Sequence, residues 1–284
     1  MKIASGIKKD LSIFVIFILI LAFFACGSGG NGVTGSATYT VTFNSMGGDA
    51  VAPKTVKSGA TVEAPANPFH EPEDYYILGA WCKDAALNNE WNFSTDKVTD
   101  NITLYAKWKP TKEVGDSGPE GGTIVYVEDD GFEMTDTGET AYYLESAPGP
   151  LTANPFIWAM EGANTAWIGG LGEEIGTGRK NTKILVDTYI AGAFRQDAAK
   201  QAASYPIEWS DPGTTPEVTD YFLPSIDELQ QLYITGVPYA LGPGKEYWSS
   251  SEDNDDHAWL MDDDATPKSQ DKGTTKYVWP IRAF

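Results

Sequence analysis

The sequence is poor in the residues that most enzymes rely on. Its 284 residues include two histidines and two cysteines. His70 lies in a proline-rich loop and has only a generic surface reading. His257 follows Asp253-Asn254-Asp255-Asp256, which makes an Asp–His pair with serines nearby, but a nucleophilic triad needs fixed geometry that chain proximity does not supply. No G-x-S-x-G elbow occurs. The glycine-rich stretch Gly169–Gly178 has no Gly-Lys-Ser/Thr at phosphate-loop spacing and no complete G-x-G-x-x-G, so it reads as a turn. The chain is therefore expected not to be an enzyme. Basic residues are scarce as well: 20 Lys and Arg face 40 Asp and Glu, a formal charge of −20. Such an excess opposes nucleic acid, anionic lipid surfaces and sulfated polysaccharides, and favours cationic partners or divalent cations. The apolar run Leu11–Ala25 is short of the ~20 residues that a membrane-spanning helix needs.

That short run is the first informative feature. Lys2, Lys8 and Lys9 form a basic region before it, and its length suits the apolar region of a signal peptide. Phe23-Phe24-Ala25-Cys26 resembles a bacterial lipobox, with Phe23 near the place where the strict pattern has Leu. The resemblance implies a signal peptide over residues 1–25, a lipid on Cys26 and a Gly/Ser-rich tether over 26–37. An ordinary secretory signal or an uncleaved anchor are the alternatives. Several acyl chains on one cysteine hold a protein stably at a membrane, where one chain does not. Cleavage would remove three lysines and one aspartate, leaving 17 basic against 39 acidic residues. It would also leave Cys82 as the one free thiol, with no disulfide and no Cys-based zinc site possible within the chain.

Residues 38–109 form a first unit. Tyr39, Val41 and Phe43 alternate with Thr40 and Thr42, the period of a half-buried strand. Short strands are predicted over Thr61–Glu63, Ile77–Trp81 and Ile102–Trp108, with turns at Met46–Asp49 and Ser58-Gly59. Gly79-Ala80-Trp81-x-Lys83-Asp84, Trp91-x-Phe93-Ser94 and Ile102-Thr103-Leu104-Tyr105-Ala106-Lys107-Trp108 closely resemble the Listeria–Bacteroides repeat. The resemblance implies a small β-grasp-like module of bacterial surface proteins, adhesive or stalk-like and without enzymatic activity. One copy is present, so no solenoid is built. Residues 110–117 read as a linker that joins this unit flexibly to the next.

Residues 118–284 carry most of the acidity, with ten basic and 28 acidic residues over 117–284. Strands are predicted at Gly122–Val127 and Ala141–Ser146, with Asp129-Asp130-Gly131 in their connecting loop and a further loop over Pro148–Pro155. A helix capped by Asn181 or Thr182 is predicted to run to about Ala203. Ser225 and Glu228 fit a capping box before Ile226, Leu229, Leu232 and Tyr233, which share one helical face. Tyr247–Ser251, Ala258–Met261 and Tyr277–Phe284 read as strands, so the fold class expected is mainly β with an α+β C-terminal domain.

Phe222-Leu223-Pro224-Ser225, Tyr247-Trp248-Ser249-Ser250-Ser251-Glu252, Ala258-Trp259 and Ile281-Arg282-Ala283-Phe284 are similar to the C-terminal domain family of the Legionella collagen-like protein. Gly121–Tyr126, Gly176-x-Gly178 and Asn181-Thr182 extend the likeness upstream. Where that family has an Asp-Trp pair and a basic residue, this chain has Asp220-Tyr221-Phe222. The resemblance implies a C-type-lectin-like domain that binds at surfaces; the cysteine chemistry of the formylglycine-generating branch is excluded, because the domain has no cysteine. Trp209, Trp248 and Trp259 are the candidate ligand-stacking residues, with Trp158 and Trp167 beside them, although core burial is the plainer reading of any tryptophan on a strand. Asp253, Asp255 and Asp256 offer the hard oxygens that Ca²⁺ prefers. They do not make an EF-hand: Ala258 stands where the loop needs Gly, and no Glu closes it. A solvated acidic loop is the alternative. The whole reads as a lipid-anchored, non-catalytic binding or adhesion protein at the outer surface of a bacterial envelope, with a host or envelope glycan or protein as ligand. The alternative is an envelope-assembly component with protein partners only.

Overall fold

A computed structural model describes residues 36–158, 167–188, 197–205, 220–238 and 244–284. Thr38–Phe284 forms one compact unit. It is mainly β, with three open sheets, and the helices described all fall between Gly178 and Ile234.

The first sheet holds β1 (Thr38–Asn44), β2 (Val51–Lys57), β3 (Tyr76–Cys82) and β4 (Ile102–Pro110) in the order β2-β1-β4-β3. β1 and β4 run parallel, and β2 and β3 are antiparallel to their neighbours. The alternation read in β1 sends Val41 and Phe43 inward, at 0% and 5% exposure. Thr61–Glu63 forms no strand; its neighbour Ala60 makes only an isolated bridge to Val98.

The second sheet has the order β10-β9-β8-β11-β7, from β7 (Leu151–Ile157), β8 (Tyr247–Glu252), β9 (His257–Met261), β10 (Pro267–Asp271) and β11 (Thr275–Val278). The third joins β5 (Ile124–Met134), β6 (Glu139–Ser146) and β12 (Ile281–Ala283) in the order β12-β6-β5. The final apolar run, expected as one strand, is split between two sheets at Trp279-Pro280, where proline supplies no ladder N–H. Asp129-Asp130-Gly131 lies inside β5, at a break in its register with β6, and is not the connecting loop; the chain turns at Thr135–Gly138.

Helix α1 (Gly178–Thr188) starts ahead of Asn181 and Thr182, so these are interior residues and cap nothing. Both are buried. Helix α2 (Ala198–Ala203) has its own N-cap, Asp197, which accepts from Lys200 N–H. Helix α3 (Ile226–Ile234) carries the complete Ser225–Glu228 capping box, and Ile226, Leu229, Leu232 and Tyr233 are all buried against the sheets.

The segment 110–117 is no loose linker. The buried Tyr143 hydroxyl, on β6, donates to Tyr75 O at 2.8 Å and accepts from Thr111 N–H at 2.7 Å and Lys112 N–H at 3.0 Å. Tyr75 Oη in turn donates to Ser117 O at 2.9 Å. Phe284 stacks on Tyr143 with centroids 5.1 Å apart, and one hydrophobic cluster holds Val41, Leu104 and Trp108 together with Ile124, Tyr142 and Tyr143. The two expected domains share this core, which removes the flexible joint that the polar, proline-bearing composition suggested.

Candidate functional site

Among the described residues, those proposed from sequence are not gathered into one site. Cys26 and Trp209 lie outside the described residues. Trp248 is fully buried, with its indole N–H donating to Phe156 O at 3.0 Å, so it offers no face to a ligand. Trp158 is equally internal: it donates to Ser249 O at 2.7 Å and lies under the Lys272 ammonium. Trp259 is half-buried and donates to Glu173 Oε1 at 3.1 Å. Trp167 is 54% exposed.

The acidic turn is engaged with its own surroundings. Asp253 Oδ2 accepts from the Asn254 amide and the Ser269 hydroxyl, and Asp256 Oδ1 pairs with His257 Nδ1 at 2.6 Å. The carbonyl of Asp255 accepts from Lys272 Nζ at 2.8 Å. No set of three or more His, Cys, Asp or Glu that could hold a metal occurs among the described residues. The calcium expectation for Asp253, Asp255 and Asp256 therefore has no assembled ligand set behind it.

The motif residues of the C-terminal region form an internal scaffold. Asn181 accepts from Gly172 N–H at 2.9 Å and donates to Gly172 O and Ser250 Oγ. Ser251 Oγ donates to Gly172 O and accepts from Ile226 N–H. Thr182 Oγ1 exchanges hydrogen bonds with Leu223. Glu228 accepts from Ser225 and Gly176 N–H at 2.7 and 2.9 Å. Its complete burial pushes its pKa up to about 7, against the lowering effect of those donors. Lys272 and Glu252 form a fully buried ion pair, and Glu252 also accepts from Ile168 and Gly169 N–H. These interactions tie the 172–182 turn, the start of α3 and β8 together.

Among the described residues, an open cleft lies where the two halves of the core meet. This cleft of about 510 Å³ is walled on one side by Met46, His70 and Tyr76 and on the other by Glu139, Arg179 and Phe284. The strands position it. The turn after β1 places Met46 and Gly47 at positive φ, with Gly48 N–H donating to Ser45 O at 3.1 Å. A side chain at Gly48 would come within 2.5 Å of Trp108 and 2.7 Å of Phe69 O, so glycine lets this turn close onto the 69–71 loop. His70 is then held between Tyr76 and Trp108, at centroid distances of 4.3 and 4.9 Å.

The cleft's polar groups have defined roles. His70 Nδ1 lies 2.7 Å from Glu71 O. A carbonyl only accepts, so Nδ1 carries the proton and Nε2 presents its lone pair. Desolvation by burial lowers the His70 pKa, which keeps the ring neutral at pH 7. Arg179 is pinned by Asp136 at 2.9 Å through Nε and by Thr137 Oγ1 at 2.9 Å through Nη2, which fixes the guanidinium at the cleft wall. Tyr76 is 7% exposed, and its hydroxyl has no hydrogen-bond partner among the described residues; burial raises its pKa strongly. The arrangement is rich in acceptors and aromatic faces, which suits recognition of a donor-bearing ligand. Sequence reading passed over this site because its walls come from distant segments. The one available signal was the pairing of His70 with the glycine-rich turn of the first module.

Comparison with known proteins covers part of the chain. Residues 39–107 match the Listeria-Bacteroides repeat domain. A protein of Evansella cellulosilytica named "Putative membrane protein" is 40% identical over 70 residues, 25% of this chain and 10% of its own. A "Putative Gly-rich membrane protein" of the same organism is 39% identical over 71 residues, 25% of this chain and 8% of its own. The chain thus spans a tenth or less of the length of these relatives. The crystal structure of a fimbrial protein from Bacteroides ovatus aligns over 87% of this chain and 69% of that one, at 13% identity and a TM-score of 0.42.

Proposed function

We propose that this is a lipid-anchored protein of the bacterial cell surface that binds a glycan or protein ligand, without catalysis, in the cleft between its two halves. The observation that carries the reading is the composite cleft itself: aromatic faces, an imidazole lone pair and carboxylates, brought together from both halves of one shared core. The repeat match over 39–107, the membrane-protein names of the two relatives and the basic and apolar N-terminus with Cys26 support the placement at a membrane. The Legionella-type resemblance of the C-terminal region belongs to the same reading.

Two measurements test it. Cys26→Ala should move the protein from the membrane to the soluble fraction of cells and abolish acyl labelling; unchanged fractionation would remove the lipid anchor from the reading. Thr140→Trp fills the cleft from an exposed position on β6. On arrays of glycans and of envelope proteins, ligands of the native chain should be lost by this variant while its melting temperature stays within a few degrees. Ligands that the variant retains would place binding elsewhere.

A further inference from the structure

The cleft does not end at His70. It adjoins a second hollow of about 320 Å³, and both are lined by Gly47, His70 and Glu71. The second hollow adds Asp49, Glu73 and Phe69. Asp49, Glu71 and Glu73 are all exposed, and none takes part in an ion pair among the described residues. No Lys or Arg lines this hollow. Phe69 is 68% exposed, the most exposed large apolar side chain described, so an aromatic face stands beside three unpaired carboxylates. The adjoining cleft supplies two further acceptors, His70 Nε2 and the unpartnered hydroxyl of the nearly buried Tyr76.

Resting on the cleft reading above, we propose that the ligand is a basic polypeptide segment, with a Lys or Arg head in the hollow edged by Asp49, Glu71 and Glu73 and its neighbouring residues along the cleft. Each part of the groove has a matching role. Carboxylates and the Phe69 ring attract an ammonium or guanidinium group, the latter through the negative face of the ring. His70 Nε2 accepts an N–H from the peptide. Met46, Leu87 and Phe284 take its apolar stems. An acidic peptide or an anionic glycan meets three like charges at the entrance, and a chain carrying −20 overall adds to that repulsion.

The test uses the full chain and short fluorescent peptides of alternating Lys/Ala, Arg/Ala and Glu/Ala, followed by anisotropy at low and physiological salt. A neutral oligosaccharide serves as a competitor. Lys and Arg peptides should bind and Glu peptides should not, with affinity falling as salt shortens the screening length. Asp49→Asn, Glu71→Gln and Glu73→Gln should each weaken binding by up to about fivefold, as expected of a partly exposed charge pair. Phe69→Ala should weaken it by about two- to fivefold. Asp255→Asn, an exposed acid on the β8–β9 turn, should leave it unchanged. If Asp255→Asn weakens binding as much as Glu71→Gln, the peptide senses only the overall field and the site is refuted. If no cationic peptide binds, the inference fails. If a glycan or an acidic peptide binds and Thr140→Trp removes it, the cleft reading stands while this inference falls.

Discussion

Glu228 shows how a sequence motif becomes an electrostatic feature. As an exposed capping residue its carboxyl would titrate near 4.5, but full burial beneath Ser225 and Gly176 raises its folded pKa to about 7. Between those two values the folded state holds a proton that the unfolded state has released, so stability falls as pH rises through this window. Burial raises Glu145 and Asp197 in the same direction. Lowering the pH from 8 to 6 should therefore stabilise the protein, with Glu228 contributing about 1 kcal/mol. Thermal melts should show a rise of a few degrees, and Glu228→Gln should flatten it; a native profile that falls over this range would contradict the burial account. His70 opposes the trend only below its ordinary value of 6.5, because its pKa is lowered. Lys272 gives a second residue-scale expectation. Lys272→Ala leaves Glu252 charged and buried without its cation, which should cost about 3–5 kcal/mol in chemical denaturation. Replacing the pair together, Lys272→Met with Glu252→Gln, should recover most of that loss.

At the scale of elements, what could be read in the sequence followed apolar periodicity. β1, β4 and α3 were visible because one face of each is buried: Val41 and Phe43, Leu104 and Ala106, Leu229 and Leu232. β7 was hidden by Pro150 and Pro155, which signal a loop; the strand tolerates Pro155 because it lies at the edge of its sheet. β10 was hidden by having no apolar side chains to alternate, since Pro-Lys-Ser-Gln-Asp sits exposed at the opposite edge. The start of α1 was misplaced because Asn181 and Thr182 have capping side chains, yet these satisfy Gly172 and Leu223 across the fold. Trp248, offered by the sequence as a ligand-stacking candidate, is core instead, because every residue of β8 is buried, and the polar Ser-Ser-Ser-Glu that follows it gives no sign of that burial. The cleft was illegible because no single element carries it. His70 and Glu139 come from segments with no common period, and only tertiary pairing brings them to one wall-to-wall gap.

At the scale of the molecule, the shared core decides how the chain behaves as a unit. Tyr143 bonds to Tyr75, Thr111 and Lys112 at once, and Phe284 closes over it. Calorimetry should accordingly show one unfolding transition for Thr38–Phe284, where a flexible joint would give two. Tyr143→Phe removes the hydroxyl that anchors residues 75, 111 and 112, and should lower stability by about 1–3 kcal/mol with a selective loss of amide-exchange protection at Thr111 and Lys112. An unchanged exchange pattern there would mean that water replaces the hydroxyl. The same closure has a consequence in time. The wall of the cleft formed by Phe284 packs against the Tyr75 ring of the first module and the Tyr143 ring of β6, so a chain still emerging from the ribosome lacks one side of the groove until Phe284 is made. On the binding reading proposed above, a copy truncated before Phe284 is therefore expected to lose the ligand of the cleft.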